Sequence, residues 1–117
     1  MPMANDILSH YDIESSIVAL MDRGDELVDE VRDAAVASGR ADAAYKSAYA
    51  RALLRATGPN RETRDAKATL EVEEIYEHRR ITEALLLAAR EAANNNRTKI
   101  DALRTLAVSH RAASTGH

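Results

Sequence analysis

The sequence predicts an all-α protein, and three observations support that prediction. Residues that interrupt helices are rare, since the 117 residues include only two prolines and four glycines. Apolar residues recur at spacings of three and four, which is the period of one helix face. Residues that favour helix N-termini precede these stripes. Together they predict long helices joined by few turns.

The first helix is predicted over about 13–37. Asp12 is a suitable N-cap, and an apolar stripe follows it, formed by Ile13, Ile17, Leu20, Met21, Leu27, Val28, Val31 and Ala35. Gly24 lies inside this stretch, where glycine costs about 1 kcal/mol relative to alanine. We therefore expect either a kink or a close contact with another helix at Gly24. Ser38 and Gly39 are predicted to end the helix.

A second helix is predicted over about 41–57 and a third over about 61–70. Between them lies the strongest stop signal of the chain, the segment Thr57-Gly58-Pro59-Asn60. Gly58 suits the left-handed conformation that often follows a helix, Pro59 cannot continue the helix, and Asn60 can cap the next one. The segment predicts a sharp corner.

The last helix is predicted over about 72–111, and a break near 69–73 or 94–96 is left open. A straight helix of this size is about 60 Å long at 1.5 Å per residue. Its apolar stripe is close to a seven-residue repeat with one polar member that can fix the register. Because one short chain offers little to cover such a stripe, we expect a homo-oligomer. Its interface is predicted to include Ile75, Leu86, Asn96, Ile100 and Leu103.

The whole chain, 1–117, is predicted to form one helical domain with flexible ends at 1–11 and 112–117. The sequence has no cysteine, which excludes a disulfide framework and favours an intracellular protein. The longest apolar run, 84–89, is far shorter than the roughly 20 residues of a membrane-spanning helix. We expect a cytoplasmic protein with no membrane partner.

Motifs of the common enzyme classes are missing from the sequence. It contains no nucleophile elbow, no phosphate-binding loop and no dinucleotide fingerprint. The four histidines, His10, His78, His110 and His117, do not form the Glu-x-x-His pairs of a helical metal centre. We expect neither an enzyme nor a bound metal or cofactor.

Charge is distributed unevenly along the chain, although the net charge is only −3. Residues 1–40 hold nine acidic and three basic residues, whereas a basic stretch follows. Helix N-termini and arginines near a corner suit phosphate oxygens. The predicted nucleic-acid-binding residues are Lys46, Arg51, Arg55, Arg61, Arg64 and Lys67. Tyr45 and Tyr49, one turn apart, either stack on bases or belong to the core.

The segment from Lys46 to Gly58 resembles the basic helix of the UvsY-type recombination mediators of phages. That helix ends in a similar Leu-x-x-x-Ser/Thr-Gly step, and Lys46, Leu53, Thr57 and Gly58 match it directly. The charged connector and the long final helix, with Lys99, Ile100 and Leu103 near its end, resemble the family's layout. The resemblance covers about residues 41–111.

This resemblance implies an all-helical, ring-forming protein that binds single-stranded DNA. It also implies a RecA-like recombinase or a single-strand binding protein as a partner, with the mediator assisting recombinase loading. The family's basic pair falls on Ala50 and Ala52 here, so the DNA-binding role would move to Arg51 and Arg55.

A second function class fits the same sequence. A helical adaptor or assembly protein would bind another protein through the long helix and the acidic N-terminal region. Salt dependence of oligonucleotide binding separates the two hypotheses, because phosphate neutralisation releases counterions.

Overall fold

The computed structural model describes residues 9–115. They form three α-helices, α1 (His10–Arg55), α2 (Arg61–Glu71) and α3 (Glu73–Thr115), and no strand occurs among them. The predicted all-α class and the long C-terminal helix are therefore confirmed.

Helix α1 begins three residues earlier than expected, because Ser9 and Asp12 form a capping box in which Ser9, and not Asp12, is the N-cap. The Ser9 hydroxyl accepts a hydrogen bond from the Asp12 backbone N–H at 3.1 Å. In return, the Asp12 carboxylate accepts from the Ser9 backbone N–H at 3.1 Å. Two N–H groups that a helix start leaves unsatisfied are thus paired reciprocally.

Helix α1 continues through Ser38 and Gly39, so the predicted end at residue 37 is wrong. Gly39 has no positive φ angle, and a Cβ built there would meet nothing within 4 Å. Buried and half-buried residues keep the spacing of three and four across Gly39, at Val31, Ala34, Ser38, Ala41 and Tyr45. Packing along that stripe outweighs the cost of about 1 kcal/mol for one helical glycine.

The predicted corner after α1 is confirmed, with one difference. Asn60 caps α2 as expected, since its side-chain oxygen accepts from the Thr63 N–H at 2.8 Å. Gly58 does not adopt the left-handed conformation. Its lack of a side chain serves a close approach instead, because an added Cβ would lie 2.8 Å from Cγ2 of Thr63.

Helices α2 and α3 are separated at a single residue, Val72, inside the predicted range 69–73. Its backbone angles are φ −104° and ψ 17°, and its N–H still donates to the Ala68 carbonyl at 3.2 Å. Val72 is buried, so the break lies in the core. Helix α3 has no break at 94–96.

Contacts divide the chain into two units, the first described over 9–30 and 90–115 and the second formed by Val31–Ala89. In the first unit the buried apolar residues are Ile13, Leu27 and Ala107. In the second, Ala52, Ala68 and Val72 form a buried cluster. The described residues therefore have two centres of packing, and the single domain over 1–117 stays a prediction.

The predicted flexible ends are partly helical. Helix α1 includes His10 and Tyr11, and α3 includes residues 112–115. Residues 1–8 and 116–117 of the same prediction lie outside the described residues.

Candidate nucleic-acid interface

Five of the six predicted cations lie around the turn between α1 and α2. We call this group the basic corner, and it consists of Arg51, Arg55, Arg61, Arg64 and Lys67. Two of its members donate hydrogen bonds to carbonyls of the turn that follows α1. Arg64 donates to the Gly58 carbonyl at 3.2 Å, and the Lys67 ammonium donates to the Thr57 carbonyl. Carbonyls at and just beyond a helix C-terminus carry partial negative charge and lack helical partners, so cations suit them.

Two other members form ion pairs. Arg55 pairs with Glu71, and the Arg61 Nε lies 3.7 Å from Asp65. Both pairs are exposed, where such contacts contribute little and are screened by salt. The Arg51 side chain is exposed and makes no ion pair or hydrogen bond to any other residue in 9–115.

Within the described part of the chain, three members of the basic corner therefore have no carboxylate partner: Arg51, Arg64 and Lys67. Lys46 lies apart from the corner. Its ammonium is 3.0 Å from Asp42, one turn earlier on α1. The phosphates of a nucleic acid bound at the corner would compete with Glu71 and Asp65 for the two paired arginines. They would also meet three cations that no carboxylate neutralises.

The structure places Tyr45 and Tyr49 half-buried against the cluster around Ala52. The Tyr49 hydroxyl donates to Asp65 at 3.2 Å, and burial together with this hydrogen bond raises the pKa of Tyr49. The Tyr45 ring lies 6.1 Å from that of Tyr49 and 5.4 Å from that of Tyr76. Both rings thus have neighbours in their own unit, and a stacked base would have to displace some of them.

Tyr76 and Arg79 lie against the Tyr45 ring and were not predicted. Tyr76 is 42% exposed, and the Arg79 guanidinium carbon lies 5.0 Å from the centre of the Tyr45 ring. The Arg79 Nε is also 2.9 Å from Asp42. The hydrogen bond from Lys46 lowers the pKa of Asp42, the positive charges of Lys46 and Arg79 act in the same direction, and desolvation opposes them. The spacing of four between Ile75 and Arg79 could have indicated that Arg79 lies beside the apolar stripe.

The predicted interface residues fall into both units. In the second unit, Ile75 is 37% exposed and Leu86 is half-buried. In the first unit, Ile100 and Leu103 are half-buried and Asn96 is buried. These five residues therefore differ in how much surface they offer to another chain.

Asn96 finds its partner in its own chain. Its Nδ2 donates to the Leu20 carbonyl at 2.9 Å, and a Cβ on Gly24 would lie 3.2 Å from the same nitrogen. Of the two alternatives for Gly24, the close helix contact is the one observed. Asn96 is thus covered by the N-terminal part of α1 within the first unit, and its place in an oligomer interface stays a prediction.

The two alanines at the family's basic positions have different environments. Ala50 is exposed, whereas Ala52 is completely buried between α1 and α2. A lysine or arginine at position 52 would place its charge in the core, so this fold has room for only one member of such a pair.

Comparisons with protein families, curated proteins and solved structures found no match to this chain. The UvsY-type resemblance therefore stays a prediction that depends on the segment 46–58 and on the layout of residues 41–111. In the described part of the chain, no helix has both the length and the apolar character needed to cross a membrane.

Proposed function

We propose that this protein is a non-enzymatic, single-stranded DNA-binding accessory protein of the recombination-mediator type, acting in the cytoplasm. The observation that supports the proposal best is the basic corner, where Arg51, Arg64 and Lys67 have no carboxylate partner in the described part of the chain. Flexible phosphate strands bind such surfaces through charge, with little dependence on base sequence.

The mediator role extends this binding activity. A protein that holds a single strand weakly and without sequence preference can pass it from a single-strand binding protein to a RecA-like recombinase. One chain offers few cations, so a homo-oligomer would gain many phosphate contacts on one strand through effective concentration. The resemblance of 46–58 to the UvsY-type helix supports this role.

The test is a titration of a labelled thymidine oligonucleotide at two salt concentrations. Replacing both Arg51 and Arg55 by alanine should weaken binding. It should also make the slope of log binding constant against log salt concentration less steep. The expected change in slope is about 0.7 for each phosphate of a single strand that the variant no longer neutralises. The control is Arg23→Ala in the first unit, where Arg23 pairs with Glu26 at 2.8 Å and with Glu30 at 3.1 Å. Equal affinities of the wild type and the double variant, or no binding at low salt, would remove this proposal.

A second candidate, a helical adaptor or assembly protein, is favoured by exposed apolar side chains on α3. Ile81 is 50% exposed and Leu85 is 60% exposed, one turn apart. Such a stripe suits a second helix, either of another protein or of another copy of this chain.

Substitutions at two neighbouring leucines distinguish an effect on assembly from an effect on folding. Leu85→Asp changes an exposed position and should disrupt only an intermolecular contact, whereas Leu86→Asp changes a half-buried one and should also lower the free energy of unfolding. Sedimentation of both variants measures the first effect and urea unfolding the second. A compact wild-type monomer at micromolar concentration would exclude self-assembly.

A further inference from the structure

The unbroken course of α1 through Gly39 brings Arg40 into helical register with Arg51. Eleven residues separate them, so their directions around the helix differ by only about 20°. A break at Ser38 and Gly39 would have removed this relation. Both arginines are exposed, and the side chain of neither makes an ion pair or hydrogen bond with another residue in 9–115.

We propose that Arg40 and Arg51 define a phosphate-binding track along the outer face of α1, with Arg40 as a further nucleic-acid-binding residue. This inference rests on the proposed function. The proposed function places the DNA strand at the basic corner, and this inference extends the strand's binding site from the corner along α1 towards Arg40.

The residues between the two arginines keep this face open. Ala44 and Ser47 lie within about 40° of Arg40 around the helix, and both are exposed and small. Arg55 follows about 60° from Arg40 and connects the track to the basic corner. A strand backbone can therefore approach the helix closely between the cations.

Acidic residues are absent from the track itself. From 34 to 55 the sequence has one acid, Asp42, which lies about 160° around the helix from Arg40. The next acid, Asp33, lies two turns before Arg40 on the same face, 3.6 Å from Arg32. Asp33 thus marks the N-terminal limit of the track.

Lys46 does not belong to this track, although it lies between the two arginines in sequence. It points about 120° away from Arg40 and pairs with Asp42 at 3.0 Å. Lys46 is therefore the natural matched control on the same helix.

The length of the track also suits a strand. Arg40 and Arg51 are about 16.5 Å apart along the axis at 1.5 Å per residue. That is about five phosphate steps of a B-form strand and fewer of an extended one. Both guanidinium groups can thus contact phosphates of the same molecule.

The first experiment compares Arg40→Gln, Arg51→Gln and Lys46→Gln by fluorescence anisotropy with a labelled thymidine oligonucleotide. Arg40→Gln and Arg51→Gln should each weaken binding about fivefold at low salt, because each removes one charge-assisted phosphate contact. Lys46→Gln should change the affinity less than twofold. Circular dichroism melting verifies that all three variants are folded.

The second experiment relocates the charge while keeping the net charge constant. Adding Ala44→Arg to Arg40→Gln should restore binding, because position 44 lies on the track. Adding Ala35→Arg should not, because position 35 is exposed but about 140° away.

The outcomes separate this inference from the proposed function. Equal losses for Arg40→Gln and Lys46→Gln, or equal rescue from positions 35 and 44, would overturn the track and leave a diffuse basic surface in place. A wild type that does not bind at low salt would overturn both. The same pattern on anionic lipid vesicles, with no oligonucleotide binding, would assign the face to a membrane and overturn the track as well.

Discussion

The two units pack α1 beside α3 with different chemistry. In the first unit the buried residues are apolar, with one polar contact, the hydrogen bond from Asn96 to the Leu20 carbonyl. In the second unit the buried side chains are smaller, and Tyr45 packs near Arg79, which is paired with Asp42. The first unit thus joins its helices with a hydrogen bond from one buried polar side chain, whereas the second combines ring contacts with an ion pair.

This difference indicates how each unit should respond to substitution. A single buried hydrogen bond is sensitive to the loss of a donor. An alanine-rich core is sensitive to added volume, whereas its exposed outer helix faces accept changes of charge.

The largest effect is expected from a charge in the core of the second unit. Ala52→Arg should lower the free energy of unfolding by about 4 kcal/mol, because it adds both volume and an unpaired charge at a completely buried position. Ala50→Arg, at an exposed position of the same helix, is the control and should change stability little. Urea unfolding followed by circular dichroism measures both. Similar stability of the two variants would contradict the packing of α2 on α1.

The next effect tests the polar contact of the first unit. Asn96→Asp should lower the free energy of unfolding by about 2–3 kcal/mol at pH 7, because a buried carboxylate would replace the donor that faces the Leu20 carbonyl. The exposed neighbour provides the control Asn95→Asp, which should cost little.

This loss should depend on pH. Burial raises the pKa of a carboxyl in the folded state above its unfolded value, so the folded variant takes up a proton first as the pH falls. The loss in free energy of unfolding should therefore become smaller as the pH falls from 7 to 4, and larger again when the pH is raised. A loss that does not change with pH would place Asn96 in contact with solvent.

The smallest effect contrasts two glycines of the second unit. Gly58→Ala should cost about 1 kcal/mol or more, since the added Cβ would lie 2.8 Å from Cγ2 of Thr63. Gly39→Ala should instead stabilise the protein by about 0.5–1 kcal/mol, because Gly39 is helical with open space around it. Thermal unfolding of the two variants should shift in opposite directions. A lowered Tm for Gly39→Ala would contradict the helix at Gly39, and a raised Tm for Gly58→Ala would contradict the close contact with Thr63.

Local sequence signals predicted much of the fold. The corner before Asn60 follows from capping chemistry. The break at Val72 is one of two alternatives that the sequence leaves open, because Val72 lies in the core and its place depends on packing. The continuity of α1 does not follow from local signals, because Ser38 and Gly39 have low helix propensity and only the contacts of their neighbours outweigh it. Charge density likewise located the basic corner. The Asp42–Lys46 pair is local, one helical turn apart, but the partner of Arg55, Glu71 in α2, depends on which residues the fold brings close.

One measurement tests the central claim, that α1 is a single helix which aligns Arg40 with Arg51. The chain has no cysteine, so nitroxide labels can be attached after Val36→Cys and Leu54→Cys, two exposed positions that lie five turns apart on one side of the helix. The unbroken helix predicts one narrow distance distribution near the backbone separation of about 27 Å, broadened only by the label arms. A broad distribution, or one centred well below this distance, would show a break near Gly39 and contradict the track.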